Sequence, residues 1–274
     1  MIAANTPDEQ FEGKVREFGG RIMSTAASVS LSHRDPALLG QTVVVIGGSA
    51  GIGLATARHA RAEGADVILT GRDPDRLRSA ATDVGALSTA AFDANDPAQL
   101  KRFFQELPEQ IDHVMITAGH PSYGRLLDMD ADEARRAMSE HMLLPLEVAR
   151  HAVGRVRPGG TLLHMGGTGG RRISPGYGIA SVVTAALPVL TAGLALELAP
   201  IRVNLIAAGF VDTPLSAGLL GEGLDARREE LRATLPIGRV VGPADVAALA
   251  VHIMTNTALT GATYDIDGGQ QFVG

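Results

Sequence analysis

The chain has 274 residues, a formal net charge of −6 and no cysteine. This length suits one α/β domain with a large core. The lack of cysteine excludes disulfides, thiolate metal sites and cysteine nucleophiles, and the acidic balance, with no basic cluster beyond Arg171-Arg172, argues against a nucleic-acid partner.

Three further expectations come from composition. The histidines show no metal-binding spacing, so no metal site is predicted. The most apolar run, from Ala185 to Leu196, is too short to cross a membrane, so no membrane partner is expected and a cytoplasmic location is predicted. Residues 1–38 are polar and make a poor signal peptide; they are interpreted as a flexible or loosely docked extension, or else a functional arm, ahead of one domain over 39–274.

The first predicted element is a strand that leads through a glycine-rich turn into a helix. The apolar β-branched run from Val43 to Ile46 predicts a strand buried on both faces. In the turn GGSAGIG, Gly47 permits the sharp bend, Gly51 lets a pyrophosphate approach the backbone, and Gly53 lets the helix pack closely on the strand. The free N–H groups and the dipole of the helix N-terminus favour phosphate, so this segment is predicted to cradle phosphate groups; a glycine-rich turn with no ligand is the alternative.

The second predicted strand runs from Ala65 to about Thr70 and is followed by Gly71-Arg72. A carboxylate at this place suits a ribose 2′-hydroxyl, whereas an arginine suits a 2′-phosphate. Arg72 therefore predicts NADP(H) as the cofactor. Asp73 comes next and keeps NAD(H) open, and a solvated Arg72 is the alternative interpretation.

The remaining chain alternates between strands and helices. Strands are predicted within 88–96, 111–119, 159–167, 201–209 and the C-terminal ATYDIDGG, and helices within 97–107, 131–156, 175–200 and from Pro243. A kink or break is expected at Pro145, and Pro188 is also internal to a helix. Residues 214–236 are predicted to form a mobile flap with helical content. The alternation predicts an α/β fold, a doubly wound parallel sheet (Rossmann fold) in a single domain.

These motifs together resemble the short-chain dehydrogenase/reductase family over roughly Leu39 to Gly269. Asp93 matches the family position that contacts adenine, and Thr117-Ala118-Gly119 match the end of the family's NNAG motif. The loop after the sixth strand matches the place where the family holds the nicotinamide end. The glycine turn and the resemblance together give the cofactor-binding set Gly47, Ser49, Ala50, Gly51, Ile52, Gly53, Arg72, Asp93, Ala94, Ala118, Gly119, Gly209, Val211 and Thr213.

The catalytic half departs from the family pattern. The family's serine, tyrosine and lysine positions fall on Gly167, Ala180 and Thr184. Three replacements are predicted as catalytic residues. Tyr177 lies one helical turn before Ala180, His141 takes the place of the family's helix asparagine and can titrate near neutral pH, and Thr168 follows the serine position.

Each replacement has a structural alternative: pocket lining for the tyrosine, and backbone hydrogen bonds for the histidine and the threonine. Arg171 or Arg172 could supply a fixed positive charge, or both could be solvated. The predicted function is an NADP(H)-dependent oxidoreductase acting on a small carbonyl or alcohol substrate. The alternatives are a non-redox enzyme (lyase, cyclase or isomerase) and a catalytically silent NADP(H)-binding protein. Apolar helices over 138–150 and 182–198 resemble the family's dimer-forming helices, so a homodimer or homotetramer is expected.

Overall fold

The structure, a computed structural model, describes residues 35–273 of the chain. Residues 1–34, most of the predicted extension, lie outside the described residues. Leu38 is completely buried, and its backbone N–H donates to the carbonyl oxygen of Glu63 at 2.9 Å. Core packing therefore includes a residue that the sequence analysis assigns to the extension.

One parallel sheet forms the centre of the described domain. In chain order its strands are β1 (Thr42–Ile46), β2 (Asp66–Gly71), β3 (Ser88–Ala91), β4 (Ile111–Ile116), β5 (Val156–Gly167), β6 (Arg202–Ala208) and β7 (Thr263–Ile266). Their order across the sheet is β3-β2-β1-β4-β5-β6-β7, and every neighbouring pair is parallel. This arrangement confirms the predicted doubly wound Rossmann-type fold.

Helices cover both faces of the sheet. They are α1 (Gly51–Ala62), α2 (Pro74–Val84), α3 (Pro97–Glu106), α4 (Ala131–Met138), α5 (Leu144–Ala152), α6 (Gly178–Glu197), α7 (Pro214–Leu220), α8 (Leu224–Thr234) and α9 (Pro243–Thr255). Val43 and Val45 pack with α1, α2 and α9, whereas Val44 and Ile46 pack with α3, α5 and α6. Because alternate side chains of a strand point to opposite faces, β1 is buried on both sides, as its unbroken apolar run predicts.

Helix α2 is an element that the sequence analysis leaves unassigned. The carboxylate of Asp73 accepts hydrogen bonds from the N–H groups of Asp75 and Arg76, each at 3.0 Å, and Pro74 occupies the first helical turn. The helix ends at Gly85, which has a left-handed φ of 65°. Both end signals are present in the sequence.

The predicted break at Pro145 takes the form of a π-helical turn. Helix α4 continues through this turn, Ser139–Leu143, into α5. Pro145 has no N–H to donate to the carbonyl four residues earlier, and a wider turn is one way to accommodate that loss. His141 lies in this turn.

Helix α6 starts later than predicted, because the preceding residues form a turn in which Gly176 has a φ of 91°. Among the described helices it is the one that is long and apolar enough to cross a membrane by length and composition. The apolar run from Ala185 to Leu196 is only part of this helix. A third of its apolar window is buried, including Leu187, Thr191 and Leu194. The core helix of a soluble protein can pass the same test of length and composition.

Candidate functional site

A large cleft at the carboxyl ends of the strands gathers the predicted site residues. Its volume is about 2120 Å³. Every predicted cofactor residue lines it, from Gly47 after β1 to Thr213 after β6, and so do Tyr177, His141 and Thr168. The cleft lies where a doubly wound sheet binds its ligands.

Close contacts that exclude a side chain shape the glycine turn. Gly47 has a φ of 97°, and a Cβ atom on Gly53 would lie 2.3 Å from the Gly47 carbonyl oxygen. The Thr117 hydroxyl donates to the carbonyl oxygens of Ile46 and Gly47 at 3.2 and 3.0 Å. The end of β4 therefore holds the turn in place.

The N-terminus of α1 faces the cleft without an anionic partner of its own. Helix α1 begins at Gly51, behind Ala50, which has no side chain that could cap it, and its first turn holds no acidic residue. The backbone N–H groups at the start of a helix lack intrahelical acceptors and favour an anion. The geometry therefore fits a pyrophosphate.

The charges at the end of β2 are divided between the cleft and helix α2. The Arg72 side chain lines the cleft. The Asp73 carboxylate caps α2, and its hydrogen bonds, the one from the Arg76 N–H foremost, lower the pKa of Asp73. Arg76 also lines the cleft, although the sequence analysis does not name it. An arginine three residues after an Asp-Pro helix start is the signal that could have identified it.

A buried hydrogen-bond acceptor lies near the end of β3. The Asp93 carboxylate accepts from the backbone N–H and the side-chain amide of Asn95 at 3.0 and 3.3 Å. Asn95 lines the cleft. Its side-chain oxygen, Oδ1, is buried and has no hydrogen-bond partner in the described part of the chain. Buried acceptors are normally satisfied, so this oxygen fits an amino donor of a ligand such as adenine.

The loop after β6 is tied to the C-terminal segment and to α7. The Phe210 N–H donates to Gln270 Oε1 at 2.7 Å, and a Cβ atom on Gly209 would lie 2.6 Å from the same oxygen. Thr213 caps α7, where its hydroxyl accepts from the Ser216 N–H at 3.2 Å. Gln270 is a further cleft residue that the sequence analysis does not name.

A carboxylate–guanidinium pair holds the same loop to α8. Arg228 donates from Nη2 and Nε to the two carboxylate oxygens of Asp212 at 2.8 and 2.9 Å. Bidentate pairs of this kind fix orientation as well as distance. Val211 bridges to Val241 in the parallel sense, so the predicted nicotinamide-binding loop is held on both sides.

Two tyrosines face each other in the other half of the cleft. Tyr177 immediately precedes α6, and its ring makes an edge-to-face contact with Tyr123 at a centroid distance of 6.0 Å. Tyr123 is 51% exposed, and partial desolvation of its hydroxyl, with Tyr177 nearby, raises the pKa of Tyr123. This phenol is therefore protonated at neutral pH. Tyr123 was missed because it lies in an irregular loop, where no motif marks it.

His141 and Thr168 lie in the same half. His141 Nδ1 is 3.0 Å from the Ala137 carbonyl oxygen, which places the proton of the neutral ring on Nδ1. Nε2 then faces Gly119, on which a Cβ atom would lie 3.8 Å away. Thr168 is 8% exposed and starts a 3₁₀ turn. Both side chains belong to the cleft wall.

The two arginines after this turn have partners near the C-terminus. Arg171 pairs with Asp265 at 2.5 Å and does not line the cleft. Arg172 donates to the carbonyl oxygen of Val273 and does line it. Both contacts tie the turn after β5 to the chain end, so Arg171 is placed as a structural residue.

A family model described as enoyl-(acyl carrier protein) reductase matches residues 47–271. This span contains the glycine turn, the Arg72 region and the loop after β6. The chain belongs to the short-chain dehydrogenase/reductase family. The resemblance drawn from the motifs is therefore confirmed. Membership of this family implies that the protein is an oxidoreductase that uses a nicotinamide cofactor.

Several relatives of this family are similar over most of the chain. The short-chain dehydrogenase/reductase ATR9 of Stachybotrys chlorohalonatus is 29% identical, covering 85% of this chain and 98% of the relative. The NADP-dependent (R)-specific alcohol dehydrogenase of Lentilactobacillus kefiri is 28% identical, covering 85% and 97%. A solved structure of a small-chain dehydrogenase in complex with NADPH is 26% identical with a TM-score of 0.73, covering 85% of this chain and 99% of that one.

The positions assigned to the family's serine, tyrosine and lysine contribute little polar chemistry to this cleft. Ala180 is 7% exposed. The Thr184 hydroxyl is turned into the helix, where it donates to the carbonyl oxygens of Ala180 and Ser181 at 2.7 and 3.2 Å. A Cβ atom on Gly167 would lie 3.3 Å from the Thr184 methyl. The methyl of Thr184 thus approaches the space that a residue 167 side chain would need.

Proposed function

We propose that this short-chain dehydrogenase/reductase is an NADP(H)-dependent oxidoreductase that acts on a small carbonyl or alcohol substrate with an atypical set of proton donors. The cofactor assignment rests on the different positions of the two charged side chains after β2, Arg72 and Asp73. Arg72 lines the cleft, whereas the Asp73 carboxylate is held by the N-terminus of α2. A guanidinium suits a phosphate, whereas Asp73, whose Oδ1 caps α2, is not among the residues that line the cleft.

The cleft residues fit the dinucleotide along its length. The glycine turn and the start of α1 would hold the pyrophosphate, the buried Asn95 Oδ1 would accept from adenine, and the loop from Gly209 to Thr213 would hold the nicotinamide end. When bound, the nicotinamide supplies or accepts the hydride. The NADP-dependent alcohol dehydrogenase and the NADPH complex among the similar proteins support this choice of cofactor.

Proton transfer is assigned to Tyr177. It lines the cleft next to the first turn of α6, and its carbonyl oxygen accepts from the Ala180 N–H at 3.1 Å, so its side chain starts one turn from the family's tyrosine position. A positioned general acid contributes roughly 10²- to 10⁴-fold to a rate. His141, whose Nε2 faces Gly119 and carries a proton only in the imidazolium form, and Thr168 are the other proposed members of the set.

The second candidate is a non-redox enzyme, or a silent NADP(H)-binding protein, on the same scaffold. The observation that favours it is that Gly167, Ala180 and Thr184 present no proton donor to the cleft. Product formed without a change in nicotinamide absorbance would identify a non-redox enzyme. Coenzyme binding without turnover of any substrate in a broad screen would favour the silent protein.

The experiment that tests the proposal is a fluorescence titration of the purified protein with NADPH and, separately, with NADH. We expect at least a tenfold preference for NADPH, followed by oxidation of NADPH in a screen of small aldehydes and ketones. Equal affinity for the two coenzymes would contradict the NADP(H) assignment. No binding of either would overturn the redox proposal.

A second copy of the chain is the proposed protein partner. Helix α6 exposes three large apolar side chains, Val182, Val189 and Leu196, at 46%, 76% and 83%, and contiguous apolar surface commonly marks an interface. We expect a homodimer or homotetramer by sedimentation velocity, and a monomer at micromolar concentration would contradict this. The cytoplasmic location stays a prediction.

A further inference from the structure

A side-chain contact spans the nucleotide cleft above the end of β1. Arg72 follows β2 and His120 follows β4, and these two strands flank β1 on opposite sides. Arg72 Nη2 nevertheless lies 3.2 Å from His120 Nε2. Both residues line the cleft, so the contact links the predicted 2′-phosphate reader to the opposite wall.

His120 is itself held by Glu140. The His120 backbone N–H donates to Glu140 Oε2 at 3.0 Å, and His120 Nδ1 is 3.6 Å from the same oxygen. The Glu140 side chain is 12% exposed and belongs to the π-helical turn. The proline-associated turn after α4 therefore presents a carboxylate to the histidine.

The position of this carboxylate selects one form of the imidazole ring. His120 Nε2 can accept from the Arg72 guanidinium only when Nε2 carries no proton, so the ring proton must be on Nδ1. Nδ1 is the nitrogen nearest to Glu140 Oε2, and a proton there is attracted by the carboxylate. In the series Glu140–His120–Arg72, the ring proton on Nδ1 therefore points to the carboxylate, and Nε2 accepts from the guanidinium.

The contact with His120 restricts the Arg72 side chain, which would otherwise be mobile. An exposed arginine carries roughly 2 kcal/mol of rotamer entropy, and part of that entropy is lost when it binds a ligand. The contact with His120 uses one of five guanidinium N–H donors and leaves the others for a phosphate. Fixing a binding group before the ligand arrives reduces the entropy lost on binding.

We propose that His120, oriented by Glu140, is a positioning residue that holds Arg72 for the 2′-phosphate and thereby sets the preference for NADPH over NADH. The inference rests on the proposed use of NADP(H). Neither His120 nor Glu140 needs to touch the coenzyme, because each acts through Arg72. Arg72, His120 and Glu140 line a cavity of about 520 Å³. The charged residues Asp130, Glu133 and Arg136 line the same cavity.

The test is a pair of dissociation constants, for NADPH and NADH, measured on four proteins: the wild type, His120→Ala, His120→Gln and the exposed α9 control His252→Ala. We expect His120→Ala to weaken NADPH binding by roughly three- to tenfold, the range of one lost hydrogen bond, with NADH binding changed less than about twofold. His120→Gln keeps an acceptor and should restore most of the preference. His252→Ala should behave as the wild type.

A double-mutant cycle shows whether His120 acts through Arg72. Arg72→Ala should remove the preference, and adding His120→Ala to it should have no further effect on either constant. Glu140→Gln should lower the preference by less than His120→Ala does. Melting curves of every variant separate a loss of fold from a loss of selectivity, and the ratio of the two constants is a property that general loosening would not change selectively.

Two failures are distinguishable. If the wild type shows no preference for NADPH, the proposed cofactor is wrong and the inference falls with it. If the wild type prefers NADPH and His120→Ala keeps or increases that preference, the proposed cofactor stands and the positioning role is wrong. A further loss of NADPH binding when His120→Ala is added to Arg72→Ala would also overturn the role, because His120 would then act independently.

Discussion

The phosphate-binding turn in the cofactor half of the cleft is built from closely packed backbone, whereas the catalytic half is built from side chains on irregular turns. In the first, Gly47 and Gly53 approach so closely that no Cβ atom fits between them, and Thr117 locks them to β4. In the second, the rings of Tyr177 and Tyr123 meet edge to face. A backbone site tolerates few substitutions, whereas a proton donor can move to any nearby position that reaches the same atom.

The largest expected effect tests whether the donor has moved to Tyr177. With a substrate from the carbonyl screen, Tyr177→Phe should lower kcat by at least about tenfold, because a general acid contributes roughly 10²- to 10⁴-fold. The dissociation constant of NADPH should not change, since the cofactor half is untouched. Steady-state kinetics and the fluorescence titration measure the two quantities.

Tyr264→Phe is the matched control, because Tyr264 lies in β7 and does not line the cleft. It should retain wild-type turnover. Unchanged turnover in Tyr177→Phe would remove Tyr177 from the mechanism, and Tyr123→Phe would then be the next variant to measure.

The next effect concerns the sheet beneath the catalytic half. His164, in β5, is completely buried, and neither ring nitrogen has a hydrogen-bond partner within residues 35–273. Burial lowers the pKa of His164 from 6.5 to about 4. Between these two values the unfolded chain takes up a proton at this residue and the folded chain does not, so stability falls as the pH falls from 6.5 towards 4.

At 1.36 kcal/mol per pKa unit, His164 should account for about 3 kcal/mol of the stability lost over this range. Urea unfolding at pH 7 and pH 4 measures the loss. His164→Leu should show a smaller loss than the wild type, by about that amount, while the exposed control His252→Leu keeps the wild-type difference. The prediction is wrong if His164→Leu and the wild type lose the same stability.

The third prediction concerns a substitution in the glycine turn of the cofactor half. Gly53→Ala places a methyl group where a Cβ atom would lie 2.3 Å from the Gly47 carbonyl oxygen. Forced contacts of this kind typically cost about 1–3 kcal/mol, and the displaced turn should lower NADPH affinity by at least about tenfold. The control is Gly193→Ala in α6, where no atom beyond the neighbouring residues and backbone of the same helix lies within 4 Å of the added carbon; this change should preserve NADPH binding. Wild-type affinity in Gly53→Ala would show that the turn adapts.

The same contrast explains what the sequence could predict. Gly47, Gly51 and Gly53 keep a fixed spacing because the strand, turn and helix require it. The fold could therefore be predicted from the sequence, and the residues predicted to bind the cofactor lie together in one cleft. Tyr123 and His120 lie in the loop between β4 and α4, where no periodicity relates a residue to its contacts. Their neighbours Tyr177 and Arg72 come from other parts of the chain. Long-range pairs of side chains on irregular backbone leave no local pattern.

The smallest expected effect separates a helix cap from a ribose reader at Asp73. Asp73→Asn keeps an oxygen that can accept from the N–H groups of Asp75 and Arg76, since asparagine and aspartate are comparable at the N-cap. If the carboxylate serves α2, neither coenzyme should change its dissociation constant by more than about twofold. Asp73→Ala removes the cap and should lower the melting temperature, which verifies the structural role independently. A selective weakening of NADH binding in Asp73→Asn would instead mean that the carboxylate reaches the ribose, so that both Arg72 and Asp73 would contact the coenzyme.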